Sequence, residues 1–119
     1  MKINYIIIGT LLFLLSSCSK QATLYSWGSK KKTSYFKTSY SYLKKSNTES
    51  MEMLKLSYED IINNQKGIRK TVPPGIYADY GFLLLENNDE KGKDFLKKEM
   101  ILYPESKIFI SRILKMLEK

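Results

Sequence analysis

The fold of this chain is decided by residues 73–104, PPGIYADYGFLLLENNDEKGKDFLKKEMILYP. Proline fixes φ and disfavours helix in the residue before it, so Pro73-Pro74-Gly75 is a boundary. Beyond it, large side chains and one glycine recur at i, i+3, i+4, i+7 and i+8: Tyr77, Tyr80, Gly81, Leu84 and Leu85. This spacing predicts a helix over residues 76–87. A turn at Asn87-Asn88-Asp89 and a second helix over residues 90–103 follow.

Three further segments have helical spacing. Residues 34–45 are rich in aromatic side chains, residues 48–66 carry one apolar stripe, and a last helix can begin at Pro104. The apolar stripes consist of Met51, Leu54, Tyr58, Ile61, Ile62 and Gln65, and of Ile110, Ile113, Leu114 and Leu117. Thr48 is the expected cap of the second segment, and Gly67 the left-handed residue that ends it. No segment alternates as a strand would, so the sequence predicts an all-α fold of four to five helices.

The spacing in residues 73–104 resembles the tetratricopeptide signature, W-x2-L-G-x2-Y in a first helix and A-x3-F followed by P in a second. Tyr77-x2-Tyr80-Gly81-x2-Leu84 corresponds to the first helix, and Gly92-x3-Leu96 with Pro104 to the second. The resemblance covers one unit, with a turn one residue shorter. It implies that Gly81 and Gly92 lie where two helices cross closely, and that the C-terminal helix closes a stack of helical hairpins.

The first residues have the pattern of an export signal. Met1-Lys2 precede an apolar run from Ile6 to Leu15, which is shorter than the roughly 20 residues that a membrane-spanning helix needs. Leu15-Ser16-Ser17-Cys18 then matches the recognition sequence of the signal peptidase that cuts before a cysteine to be lipidated. We therefore expect removal of residues 1–17, a lipidated tether over residues 18–33 and a helical domain over residues 34–119.

Acyl chains on Cys18 would hold the protein in a lipid bilayer essentially permanently. Cys18 is the only cysteine, so lipidation also explains a thiol with no partner in an oxidising compartment. Ser19 stands where an aspartate would favour the inner membrane. The expected location is therefore the periplasmic face of the outer membrane.

The composition fits an enzyme poorly. The chain has no histidine, its only thiol is expected to carry lipid, and no phosphate-binding, nucleophile-elbow or metal-ligand motif occurs. Glu59-Asp60 and Asp89-Glu90 are acidic pairs, but adjacent side chains on a helix point about 100° apart. Each pair is therefore interpreted as solvated surface. The sequence therefore predicts no catalytic residue, metal or cofactor. Removal of Lys2 from a net charge of +8 leaves +7, and export makes nucleic acid an unexpected partner.

A wider set of motifs resembles a family of small uncharacterised proteobacterial lipoproteins. The motifs are the cleavage sequence, Leu24-Tyr25-Ser26-Trp27-Gly28, the segment from Pro73 to Gly81, Lys98-Glu99 and Tyr103-Pro104-Glu105-Ser106. In that family they run roughly YxWGxY, PPGxxAxLGxL and EKxxFPES, and this chain has Lys30, Tyr80 and Tyr103 in place of an aromatic residue, Leu and Phe. The family has no assigned activity. Its genes tend to lie beside that of a lipoprotein resembling the curli secretion channel, which implies an envelope assembly.

Two groups of residues are candidates for partner binding. Tyr25, Trp27, Tyr35 and Tyr40 are either ordinary core or, if exposed, interface anchors, and we expect the Tyr25–Trp27 segment to pack back onto the domain. Lys30, Lys31 and Lys32, with Lys37, Lys44 and Lys45, are either solvated or meet anionic lipid or cell wall. Two main functions stay open: an adaptor that binds another envelope lipoprotein or a secretion-channel-like assembly, and a structural lipoprotein that contacts peptidoglycan or anionic lipid. A glycosidase that uses carboxylates alone is a distant third.

Overall fold

The structure is a computed structural model that describes Ile3, Gly9, residues 22–28 and residues 34–118. Within residues 34–118, five α-helices follow one another: α1 (Tyr35–Lys45), α2 (Thr48–Asn63), α3 (Ile76–Glu86), α4 (Gly92–Leu102) and α5 (Lys107–Leu117). No strand occurs among these described residues, so the predicted all-α fold is confirmed. None of the described helices is long and apolar enough to cross a membrane.

The core lies where α2, α3 and α4 meet. Its buried side chains are Leu54, Tyr58, Ile61, Val72, Ile76, Tyr80, Leu83, Leu84, Leu96 and Ile110. The rings of Tyr58 and Tyr80 stack with their centroids 5.4 Å apart, and the ring of Phe95 lies 4.7 Å from that of Tyr80. One aromatic ring from each of three helices therefore fills the centre of the domain.

Helices α3 and α4 form the predicted hairpin and cross closely at two glycines. A Cβ atom on Gly81 would lie 2.8 Å from the carbonyl oxygen of Gly92, and one on Gly92 would collide with the carbonyl oxygen of Gly81. Gly92 is the first residue of α4, so the helix begins two residues later than predicted. The expectation that these glycines permit a close crossing is confirmed.

Helices α1 and α2 pack side by side with small polar groups between them. Thr38 is the only fully buried residue of α1. Its Oγ1 donates a hydrogen bond to Oγ of Ser57 at 2.9 Å, and that hydroxyl donates to the carbonyl oxygen of Leu54 at 2.7 Å. The ring of Tyr35 lies 5.6 Å from that of Tyr58, which ties this pair of helices to the core.

Helix α2 begins at Thr48 as predicted, but its expected cap and its expected end are wrong. The cap is Asn47, whose side-chain oxygen accepts a hydrogen bond from the Ser50 N–H at 2.9 Å, and Ser50 Oγ accepts one from the Asn47 N–H at 3.3 Å. Because this reciprocal pair satisfies two free donors, Thr48 becomes the first helical residue. The helix ends at Asn63, and Gly67 does not have the expected left-handed backbone; in the loop that follows, Lys70 with φ 48° and Gly75 with φ 89° do.

The last helix begins later than predicted. Pro104 opens a 3₁₀ turn, Pro104–Ser106, and α5 follows it. On the predicted apolar face, Ile110 is buried and Ile113 and Leu114 are half-buried, whereas Leu117 is 46% exposed. Helix α5 therefore packs on α4 through the first part of its apolar face.

Candidate interaction surfaces

Residues 22–28 lie across the loop that joins α2 to α3. The N–H of Ile68 donates to the carbonyl oxygen of Thr23 at 3.0 Å, and that of Arg69 to the carbonyl oxygen of Leu24 at 3.1 Å. The segment therefore packs back onto the domain, as expected. Gly67 makes the approach possible, because a Cβ atom there would lie 2.5 Å from the carbonyl oxygen of Leu24.

Tyr25 is held in place by two other side chains. Nη1 of Arg69 donates a hydrogen bond to its hydroxyl at 2.8 Å. Burial, and then a hydrogen bond with Tyr25, raise the pKa of Tyr103 to about 12. The Tyr103 hydroxyl also donates to the carbonyl oxygen of Val72. Tyr25 thus joins the N-terminal segment to the α2–α3 loop and to the end of α4, and its contacts are intramolecular.

The other predicted aromatic residues divide between the core and the surface. Tyr35 is half-buried and packs on Tyr58. The ring of Trp27, which is 37% exposed, lies 5.7 Å from that of Tyr35 and 5.8 Å from that of Phe36. Tyr40 is 67% exposed. Trp27 and Tyr40 therefore remain available to a partner, whereas Tyr25 and Tyr35 support the fold.

Two residues absent from the predicted set join Tyr40 on the surface of α1. Phe36, Tyr40 and Leu43 are spaced i, i+4 and i+7, which places them on one side of the helix, and they are 65%, 67% and 79% exposed. Trp27 extends the row through its contact with Phe36. We call Trp27, Phe36, Tyr40 and Leu43 the outer stripe. Helical spacing from Tyr40 is the signal that could have found its other members.

The structure describes only part of the predicted basic group. Lys37, Lys44 and Lys45 are exposed on α1, next to the outer stripe. The predictions for Lys30, Lys31 and Lys32, and those for Leu15, Ser16, Ser17 and Cys18, fall outside the described residues.

The proline motifs are joined by a buried carboxylate. Gly75, with φ 89°, precedes α3, and its N–H donates to Oε1 of Glu99 at 2.7 Å. Burial raises the pKa of Glu99, although the hydrogen bond from the Gly75 N–H opposes the shift. A side chain of α4 therefore caps the start of α3. Sequence reasoning did not assign this role to Glu99.

The remaining motif residues shape the turns at the two ends of the hairpin. Pro73 is fully buried and Pro74 is exposed. After α4, Oγ of Ser106 donates to the carbonyl oxygen of Tyr103 at 2.8 Å, while Glu105 is exposed. These contacts are structural, in line with the role that the sequence suggested for the motifs.

The carboxylates Glu59 and Asp60 have separate partners. Oε1 of Glu59 accepts a hydrogen bond from the Tyr80 hydroxyl at 2.9 Å, and Oδ1 of Asp60 accepts one from Asn64 at 2.8 Å. Asp60 is 8% exposed, so its interpretation as solvated surface is wrong: it belongs to the inward side of α2. Within the described part of the chain, no group of three His, Cys, Asp or Glu side chains could hold a metal ion.

Comparison with known proteins places residues 24–113 in one family. No curated protein and no solved structure matches the chain. A family model, described as a domain of unknown function (DUF4810), matches residues 24–113. The match begins at the residue that crosses Gly67 and ends within α5, so it includes the N-terminal segment together with both pairs of helices. The chain belongs to the family of the domain of unknown function DUF4810.

Proposed function

We propose that the protein is a lipid-anchored adaptor at the periplasmic face of the outer membrane, which binds another envelope protein through its outer stripe. The exposure of that stripe carries the proposal: its members range from 37% for Trp27 to 79% for Leu43. Contiguous exposed apolar side chains on a small domain mark interaction sites. Large aromatic side chains also make the greatest contributions to protein–protein binding.

The membrane attachment in this proposal comes from acylation of Cys18. Leu15-Ser16-Ser17 before it supports cleavage by the lipoprotein signal peptidase, and Ser19 after it favours the outer membrane. The partner that the motif resemblance suggests is another lipoprotein or a secretion-channel-like assembly. The adaptor would hold that partner beside the bilayer without taking part in a reaction.

Crosslinking in living cells tests the adaptor role. A photo-reactive amino acid at Tyr40 is expected to capture one envelope protein that is not captured from Phe109 on α5, although Phe109 is 63% exposed. The complex should withstand moderate salt, because salt screens exposed charges beyond about 8 Å at physiological strength but does not weaken apolar contact.

A pair of double variants identifies the surface. Phe36→Ser with Tyr40→Ser is expected to abolish recovery of that protein. The matched control is Phe109→Ser with Met116→Ser, whose side chains are 63% and 66% exposed, and it should leave recovery unchanged. Equal loss in both variants, or capture from Phe109 alone, would contradict the assignment to α1.

The alternative is a structural lipoprotein, and the observation that supports it is the exposed lysines beside the outer stripe. Lys37 and Lys44 are both exposed on α1. In that role the fragment of residues 19–119, which carries no acyl chain, would sediment with cell-wall sacculi or anionic vesicles through these charges. The structural role predicts that this binding disappears at high salt and in the Lys37→Glu, Lys44→Glu double variant. Both results, together with no protein captured from Tyr40, would decide for the structural role.

A further inference from the structure

We propose that the α2–α3 loop lies on the membrane and inserts Ile68 among the headgroups of anionic phospholipids, which fixes the orientation of the domain. This inference rests on the proposed acylation of Cys18. It does not depend on the identity of the protein partner or on the outer stripe.

The tip of the loop combines apolar and basic groups. Ile68 is 63% exposed and Leu24 is 55% exposed. The hydrogen bonds from Ile68 to Thr23 and from Arg69 to Leu24 hold the two segments side by side. An apolar side chain that emerges between cations is suited to the boundary between headgroups and acyl chains.

The charge of the loop is complementary to an anionic bilayer. Residues 64–71, NQKGIRKT, contain three cationic side chains and no acidic one. Lys66, Arg69 and Lys70 are all exposed around Ile68. Basic residues close to a bilayer are attracted to anionic lipids within about one Debye length of its surface.

The short stretch of chain between Cys18 and Ala22 brings this loop to the membrane. Four peptide units separate Cys18 from Ala22, so their Cα atoms lie at most about 14 Å apart even in a fully extended chain. The next residues are fixed against the loop, because Leu24 and Tyr25 cross Gly67. The lipid anchor therefore confines Ile68 to the neighbourhood of the headgroups.

The opposite end of the first helical pair is held away from the bilayer. Helix α2 has 16 residues, which makes it about 24 Å long, and the loop follows its C-terminal end. Leu43 lies in the last turn of α1, close to the N-terminal end of α2, and is 79% exposed. It is an apolar control position at least as exposed as Ile68.

A single thiol can report the position of each residue relative to the bilayer. Acylation blocks the sulfur of Cys18, the only cysteine, so Ile68→Cys or Leu43→Cys supplies one reactive group in the full, acylated protein. Each variant is labelled with a polarity-sensitive fluorophore and reconstituted in vesicles of phosphatidylethanolamine and phosphatidylglycerol. Lipids that carry a nitroxide are expected to quench the label at residue 68 several times more strongly than the label at residue 43. Equal quenching at the two positions would overturn the inference.

Two further measurements separate the causes. Quenching at residue 68 is expected to fall in phosphatidylcholine vesicles and after Lys66→Ser with Lys70→Ser, and unchanged quenching would overturn the assignment to anionic headgroups. Mass spectrometry of the same preparations reports the acyl chains. If Cys18 carries none, the anchor and this inference both fail. If the protein is acylated and both labels remain in water, the loop inference alone fails and the adaptor proposal stands.

Discussion

The carbonyl oxygen of Leu24 lies 2.5 Å from the place that a Cβ atom would take on Gly67. Because the obstructing atoms belong to the backbone, a side chain there cannot be accommodated by a change of rotamer. Gly67→Ala is therefore expected to displace residues 22–28 from the loop while the α3–α4 hairpin persists. Hydrogen exchange should accelerate at the amides of Ile68 and Arg69, which lose their acceptors.

The control for this change is Lys66→Ala, which alters an exposed neighbour and should leave the exchange of both amides as it is. Unchanged protection of Ile68 in the Gly67→Ala protein would contradict the backbone contact.

Gly81 and Gly92 are expected to be intolerant of any side chain. Gly81→Ala and Gly92→Ala should each lower the free energy of unfolding by about 1–3 kcal/mol, because the added methyl group overpacks the crossing, and valine should lower it further. Urea denaturation of residues 19–119, followed by circular dichroism, measures the change. Lys97→Ala, an exposed substitution on α4, serves as the control. Two alanine variants as stable as the parent protein would refute the close crossing.

Glu99 is expected to make stability fall as pH rises. Burial raises its pKa above the ordinary value of 4.5, so the folded state binds a proton more tightly than the unfolded state. The contribution of Glu99 to the free energy of unfolding is therefore fully present below pH 4.5 and is lost as the pH rises through the raised pKa. Glu99→Gln keeps an acceptor for the Gly75 N–H and removes the titration, so it should flatten this part of the profile.

Burial raises the pKa of Asp79 as well, so part of the slope will persist in Glu99→Gln. Glu105→Gln, which removes an exposed carboxylate, is the control for the loss of one negative charge. The same slope in the Glu99→Gln protein as in the parent would show that Glu99 does not titrate as proposed.

Cys18→Ala is expected to leave an unprocessed precursor that no longer fractionates with membranes through lipid, since no thiol remains to carry diacylglycerol. Globomycin should likewise accumulate the full-length chain. Gel mobility and membrane fractionation measure both effects, and Ser19→Ala should be processed normally. A Cys18→Ala protein that is cleaved and recovered in the membrane fraction as before would end the lipoprotein interpretation.

The sequence predicts the α3–α4 hairpin well because its determinants are local. Gly81 and Gly92 stand out within a helical pattern, and Pro73 and Pro104 bound it. The role of Gly67 has no such signal, because what requires a glycine is a segment far upstream in the chain. The cap of α2 was missed for a different reason: Asn47 and Thr48 are both good caps, and the reciprocal hydrogen bonds with Ser50 select the former.

The aromatic residues show a further limit of sequence reasoning. Tyrosine suits both a core and a surface, and Tyr35 and Tyr40 differ only in the side of α1 on which they lie. The helical spacing reveals that they lie on different sides, but which side faces α2 is set by the pairing of Thr38 with Ser57. Phe36 and Leu43 follow from the same geometry.

Helix α1 is held to its neighbour by the hydroxyl pair of Thr38 and Ser57 and by the half-buried ring of Tyr35 on Tyr58. It therefore removes less apolar surface from water than α2 and α3, which contribute fully buried leucines and isoleucines to the core. Its amides are therefore expected to exchange through a partial opening that requires less free energy than global unfolding. A ligand that binds α1 only while it is packed on α2 raises the free energy of that opening by mass action. Occupation of the outer stripe would then slow amide exchange along the whole of α1, including at residues that the ligand never touches.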